Sequence, residues 1–361
     1  MMGAMTTTTR AQQVPTGSQV RGIALGVAAA FVIGVILACQ SRLNGELGHR
    51  WGDGVIAALW SFGSGLVLLL GMLAVSPTVR GGVRQLVATV RGLAGETAEL
   101  GGRRRRLHWW QCLGGVCGAF LVVIQSATVG LVGVAVFTVA VVAGQAGSSL
   151  VVDKFGLGPG SPRPVTGTRV VGAALALGAV ILTVSDDLRT TSTVVLALLP
   201  AVAGIGLAWQ QAVNGRVGAA AGAQQGRRSG GTDVTGALVA VLVNFAVGTT
   251  ALVVAAGIDI AIRGLPAAPP AEPLLYIGGL CGIVFISLAV VVVRVIGVLL
   301  LGLASVAGQL AGALVLDALA PATGAHLTVI TVSGTLLTLV AIGIAAIPTR
   351  ARGVAEVSRR L

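Results

Sequence analysis

Read for polarity alone, the chain is a series of long apolar runs separated by short polar breaks. Residues 22–41, 54–79, 190–215, 234–258, 273–293 and 295–316 contain no Asp, Glu, Lys or Arg. Each meets the length of about 20 residues that a helix needs to cross a hydrocarbon core. Residues 107–152 stay charge-free for 46 positions, about two crossings, and divide most naturally at Gln125–Gly133, where glycines and polar residues gather. Residues 170–185 are short, but Arg169 can snorkel and lengthen the span, and residues 326–348 complete the series. The pattern predicts an all-α integral membrane protein of ten transmembrane helices. After the second span, Val83, Leu86, Val87, Val90 and Leu93 fall at helical spacing opposite Arg84 and Arg91. That stretch is either an amphipathic helix lying on the membrane surface or a plain basic loop.

Composition supports the same class. Of 361 residues, 55% are hydrophobic, only 10% are charged and 54 are glycine. A soluble protein of this size cannot bury so much apolar surface behind so few charges. The net charge of +12 would suit a nucleic-acid binder, but its placement argues for topology instead. Lys and Arg are retained in cytoplasmic loops. With the N-terminus inside, 20 of the 24 Lys and Arg fall on the cytoplasmic side, leaving Arg42, Arg50, Arg189 and Arg263 outside. Both termini are therefore expected in the cytoplasm of a bacterial cell, the first as a disordered tail over 1–20 and the last as a basic tail over 349–361. No nucleic-acid partner is expected.

The polar residues inside the runs repeat. Gln40, Asn44 and Gly45 recur as Gln210, Asn214 and Gly215, offset by 170 residues. Phe62 and Gly65 recur as Phe245 and Gly248, offset by 183. LGGVCG at 113–118 recurs as IGGLCG at 277–282, and VAGQAGSSLVVD at 142–153 as VAGQLAGALVLD at 306–317, both offset by 164. Residues 21–187 and 188–348 thus read as two copies of one five-helix unit. Because five is odd, the second copy is inverted in the membrane, the arrangement of inverted-topology transporters.

These motifs, in this order and in both halves, resemble the YdcZ-type branch of the drug/metabolite transporter (DMT) superfamily, in its fused ten-helix form. The resemblance covers nearly the whole chain. It implies an EamA-like helical bundle with a small-molecule substrate held between the halves, and it supplies no substrate identity. The second half departs from the first where Ala311 replaces Gly147 and Leu319-Ala320 stands for Phe155-Gly156.

Two sets of polar residues are candidates for a substrate path. Gln40/Asn44 and Gln210/Asn214 each share a helical face. They read either as substrate or gate contacts near opposite mouths, or as a helix stop in which Gly45 and Gly215 cap the span. Gln145, Ser149 and Asp153 follow i, i+4, i+8, with Thr138 on the same face, and the second copy has Gln309, Ala313 and Asp317. An amide in hydrocarbon is costly without a partner. Gln145, Ser149 and Gln309 therefore line a cavity or bond neighbouring helices. Asp153 and Asp317 are candidates for coupling or gating, or are solvated charges at helix ends. Gly114/Gly118 and Gly278/Gly282 read as close-packing positions.

No Walker loop is present, the three histidines lack metal-ligand spacing, and no catalytic residue, cofactor or metal is expected. The expected partners are a small molecule and the lipid bilayer; homodimerisation is left open. The reading is a secondary carrier, an exporter of small metabolites or drug-like compounds. The alternative is a non-transporting membrane scaffold or accessory subunit.

Overall fold

The structure is a computed structural model that describes residues 17–92, 98–100, 103–105, 107–157, 167–184, 191–229, 234–319 and 328–346. Among these residues the chain forms nine α-helices: α1 (Gly17–Trp51), α2 (Gly54–Val75), α3 (Pro77–Val90), α4 (Gly114–Lys154), α5 (Gly167–Val184), α6 (Thr191–Ser229), α7 (Val234–Arg263), α8 (Gly278–Leu319) and α9 (Val329–Ala346). A ribbon of two three-residue strands, Ala98–Leu100 and Arg103–Arg105, lies between α3 and α4. Among the described residues, four stretches are long and apolar enough to cross a membrane: Ala24–Trp51, Gly54–Val75, Trp109–Val152 and Val234–Arg263. This is a helical membrane bundle.

Local chemistry sets the helix ends. Asp53 caps α2 by accepting from the Val55 and Ile56 amides at 2.9 and 3.0 Å, and Ser76 caps α3 ahead of Pro77. The expectation that Gly45 and Gly215 act as caps is wrong. Both lie inside helices, α1 continuing to Trp51 and α6 to Ser229. The chain leaves α1 at Gly52 instead, whose φ of 69° suits the residue that ends a helix. The stretch after the second span is a helix, α3, and part of its apolar face packs on the bundle, leaving Val87 exposed. Val79 and Leu86 are buried against Val217, Ala220, Val239 and Ala240 of α6 and α7.

Two long elements double back. Gly133, at φ 82° and ψ 165°, divides α4 into two arms. On the first arm Gly114 faces Asn214 and Gly118 faces Gln210 of α6; on the second Gly144 faces Ala201 and Ser148 donates to the Ile205 carbonyl. The arms therefore run in opposite directions along α6. The 42 residues of α8 would extend about 63 Å as one rod, yet their contacts also reverse. Gly278 faces Asn44, Gly282 faces Gln40 and Val292 clusters with Ala30 and Ile33; then Gly308 meets Phe31, and Gly312 meets Val35 and Ala38. The turn lies between Val292 and Ser305, an interval that contains Arg294, the residue separating the apolar runs 273–293 and 295–316.

Packing follows from these hairpins. The two arms of α8 embrace α1 and the two arms of α4 embrace α6, while α5 pairs with α9 and α2 with α7. At the α2–α7 crossing, Phe62 and Phe245 lie 4.9 Å apart between ring centroids. Close approaches come in reciprocal sets. A Cβ on Gly34 would overlap the Ser305 carbonyl, as one on Gly204 would overlap that of Val141. Gly308 lies on the Phe31 carbonyl as Gly144 lies on that of Ala201, and Gly65 lies under Phe245 as Gly248 lies under Phe62. Each pair of contacts is related by the sequence offsets 164, 170 and 183.

These glycines set a stability prediction. Gly144→Ala and Gly308→Ala each force a methyl onto a neighbouring backbone carbonyl, and overpacking of this kind costs about 1–3 kcal/mol. Both variants are expected to melt at lower temperature in detergent. Gly71→Ala, which points into open space, is expected to melt like the parent. Equal melting temperatures for all three would show that these contacts do not hold the bundle.

Candidate functional site

The repeated amides meet the other half of the chain. Gln40 and Asn44 on α1 lie over Gly282 and Gly278 of α8, while Gln210 and Asn214 on α6 lie over Gly118 and Gly114 of α4. The small residues of one motif thus make room for the amides of the other. The hydrogen bonds then differ between the two places. Asn44 Nδ2 donates to Gln125 Oε1 at 2.6 Å, and Gln125 Nε2 donates to Ser41 Oγ at 2.6 Å. Gln210 Nε2 and Asn214 Nδ2 both donate to Asn244 Oδ1, at 2.8 and 3.1 Å. Two acceptors in these clusters, Asn44 Oδ1 and Gln210 Oε1, are buried and have no hydrogen-bond partner.

Gln145 and Ser149 do not reach these clusters. Gln145 Nε2 donates to Gln211 Oε1 at 3.1 Å across the α4–α6 seam, in an exposed position. Ser149 bonds the Ala146 carbonyl of its own helix at 2.9 Å. Gln309 is half-buried on the second arm of α8, where its backbone passes Gly34. The side chain of Asp153 lies outside the described residues. Asp317 is placed in full, and it is not a solvated end charge. Only 8% exposed, it accepts from the amides of Val134 and Ala135 at 3.1 and 2.7 Å. Those are the first two amides after the break at Gly133, so a carboxylate from α8 caps the second arm of α4. Helix starts leave such amides unpaired and carry partial positive charge.

The two ends of the bundle are not alike. At the end that carries Trp51, α1 packs into the turn of α4: Gly45 against Val129, Gly48 against Ser126 and Gly130 against His49. Trp51, Trp60 and Tyr276 cluster there, and Trp51 Nε1 donates to the Ala267 carbonyl at 2.9 Å. Arg263 reaches Asp53 at 3.4 Å, and Arg50 bonds both Glu46 and Glu272. At the opposite end, near Arg216 and Trp110, related positions stand open. Ile124 is 7% exposed, whereas Leu288, its counterpart 164 residues on, is 40% exposed. Ala313 is fully buried and its counterpart Ser149 only half so; Ser41 is buried and its counterpart Gln211 exposed.

Sequence reasoning identified the amides but missed their partners. Asn244 stood directly before Phe245 and Gln211 directly after Gln210, while Gln125 lay at the polar break that divides 107–152. Their signal was polarity within an apolar run, the same signal that singled out Gln145.

A double-mutant cycle on Asn44→Ala and Gln125→Ala is expected to give a coupling near 1 kcal/mol, within the range for hydrogen bonds between membrane helices. The check is unfolding in mixed micelles. A coupling indistinguishable from zero would mean that this bond contributes nothing to closure of the Trp51 end.

Comparison with known proteins fits this construction. The family model described as "Putative inner membrane exporter, YdcZ" matches residues 25–182 and matches a second time at residues 195–344. A search of curated proteins finds no match. The double match covers both stretches in which the reciprocal contacts arise. The chain belongs to the YdcZ family of the drug/metabolite transporters, in tandem form, and is a multi-pass protein of the inner membrane.

Proposed function

We propose that the protein is an alternating-access secondary carrier that exports small, largely uncharged metabolites or drug-like compounds. In this reading the arms of α4 and α8 count separately, giving ten membrane spans beside α3, and residues 21–187 and 188–348 form two inverted five-helix halves. The arginine distribution puts both termini and the Arg216 end in the cytoplasm, so the Trp51 end faces outward. The observation that carries the proposal is the pairing of reciprocal contacts with unequal ends. The same contacts are written twice, yet Ile124 is sealed and Leu288 is open. Two halves with one set of preferences can exchange these states, which is what alternating access requires.

The substrate class follows from the path. In this reading Gln145, Gln211 and Ser149 line the open, cytoplasmic side of the path, with Gln210 and Asn214 beside them and Gln40 and Asn44 toward the closed end. Amides and hydroxyls bond neutral or zwitterionic polar groups without demanding a counter-charge. The two unpartnered carbonyl oxygens, Asn44 Oδ1 and Gln210 Oε1, favour a substrate with hydrogen-bond donors. Exposed amides at Gln145 and Gln211 support a watered path rather than a lipid face, because amides in hydrocarbon are costly.

The test is a thermal-shift screen of purified protein against metabolites and drugs, followed by flux of each ligand into inside-out vesicles. A ligand that stabilises the parent is expected to lose its effect in Gln145→Ala/Gln211→Ala, with flux falling at least tenfold while the unliganded melting temperature holds. Stabilisation that survives both substitutions would place the site elsewhere. Ligands that bind without flux would favour the scaffold.

A further inference from the structure

Asp317, a candidate for coupling or gating from the sequence, joins two packed helix pairs at the Trp51 end. The carboxylate belongs to α8, which is packed along α1; the two amides it accepts from belong to α4, which is packed along α6. These are the two helix pairs that must part for the Trp51 end to open. Other contacts described across that seam are Asn44 with Gln125, Gly45 with Val129, Gly48 with Ser126 and Gly130 with His49. Asp317 adds an anion to a helix start, where two parallel amides and the helix dipole hold it. It stays buried although Leu319, two residues on, is 80% exposed.

We propose that Asp317 is the external latch of the carrier, a positioning residue that holds the outward end shut by capping the half-helix beginning at Val134. The latch rests on the carrier reading given above. The 164-residue offset carries Asp317 onto Asp153 and Gly133 onto Gly297, so the sequence writes the same carboxylate and the same glycine for the other half. A latch made once in each half gives each end its own closure. Opening the outer end then means that Asp317 lets go of α4 while the contacts inside each helix pair stay made.

The experiment is site-directed labelling with a membrane-impermeant maleimide, and it needs no known substrate. Cys39, Cys112, Cys117 and Cys281 are first replaced by alanine. Single cysteines at Ile124→Cys and Leu288→Cys then report the outer and inner paths in right-side-out and inside-out vesicles. Asp317→Asn is expected to raise outside labelling at position 124 at least tenfold and to lower inside labelling at position 288 by a similar factor. Val134→Pro is the second variant. Proline is tolerated at the first position of a helix, and here it deletes one of the two amides that Asp317 accepts from. It is expected to raise labelling at position 124 about threefold, a partial release. Unchanged labelling at position 124 in both variants overturns the latch, as does a rise at both positions, which signals general loosening. A rise at position 124 with position 288 unchanged upholds the latch and removes the alternating-access reading.

Discussion

Helices in a bilayer gain nothing by hiding apolar side chains from one another, because lipid is as apolar as they are. Association must come from close backbone contact and from polar groups that find partners. In this protein that contact recurs at glycines: Gly34 and Gly308 where α1 meets α8, Gly144 and Gly204 where α4 meets α6, Gly115 and Gly279 where α4 and α8 meet α7 and α2, and Gly48 where α1 meets α4. Each places its Cα against a carbonyl of the facing helix, where any side chain would overlap. The doubling of α4 and α8 follows from the same constraint, since each hairpin wraps one helix from the other half.

This arrangement yields two extensively packed pairs, α1 with α8 and α4 with α6, which also meet closely where Gly48 lies on the Ser126 carbonyl. Between them lie the Phe62–Phe245 pair at the centre and the ends described above. At that centre each ring is seated on a glycine of the other motif. The polar contacts sit to either side of that centre. Those at the Trp51 end are made, including the carboxylate cap, while toward Arg216 the side chains of Leu288 and Gln211 are exposed. In the proposed carrier, the unequal exposure of Ile124 and Leu288 corresponds to one of its two states.

Much of this was legible in the sequence because the repeat is written in chemically rare residues. The offsets of 164, 170 and 183 pair residues that the fold places in equivalent contacts, and Gly133 marks the break in α4. The Asn-Gly steps misled because a turn signal competes with helix continuation, and in a packed bundle the small glycine is wanted for approach. Gly45 lies on Val129 and does not end α1. Partners were harder to read. Gln125 has Ala289 at its counterpart position and Asn244 has Ser61, so the repeat pattern could not reveal the bonds that differ between halves. For α3, spacing gave an amphipathic face, but only the fold showed that α6 and α7 cover part of it.

The most direct test of the central claim is a pair of distance distributions by double electron–electron resonance in lipid. One spin-label pair, at Arg50 and Leu131, spans the seam between α1 and α4 at the Trp51 end. The other, at Phe155 and Leu288, spans α4 and α8 at the opposite end. All four positions carry exposed side chains. The account predicts two states per pair with opposite populations, the short distance at one end accompanying the long distance at the other, and a shared shift when a transported ligand is added. Single, unchanging distributions at both ends, or distances that lengthen together, would contradict it.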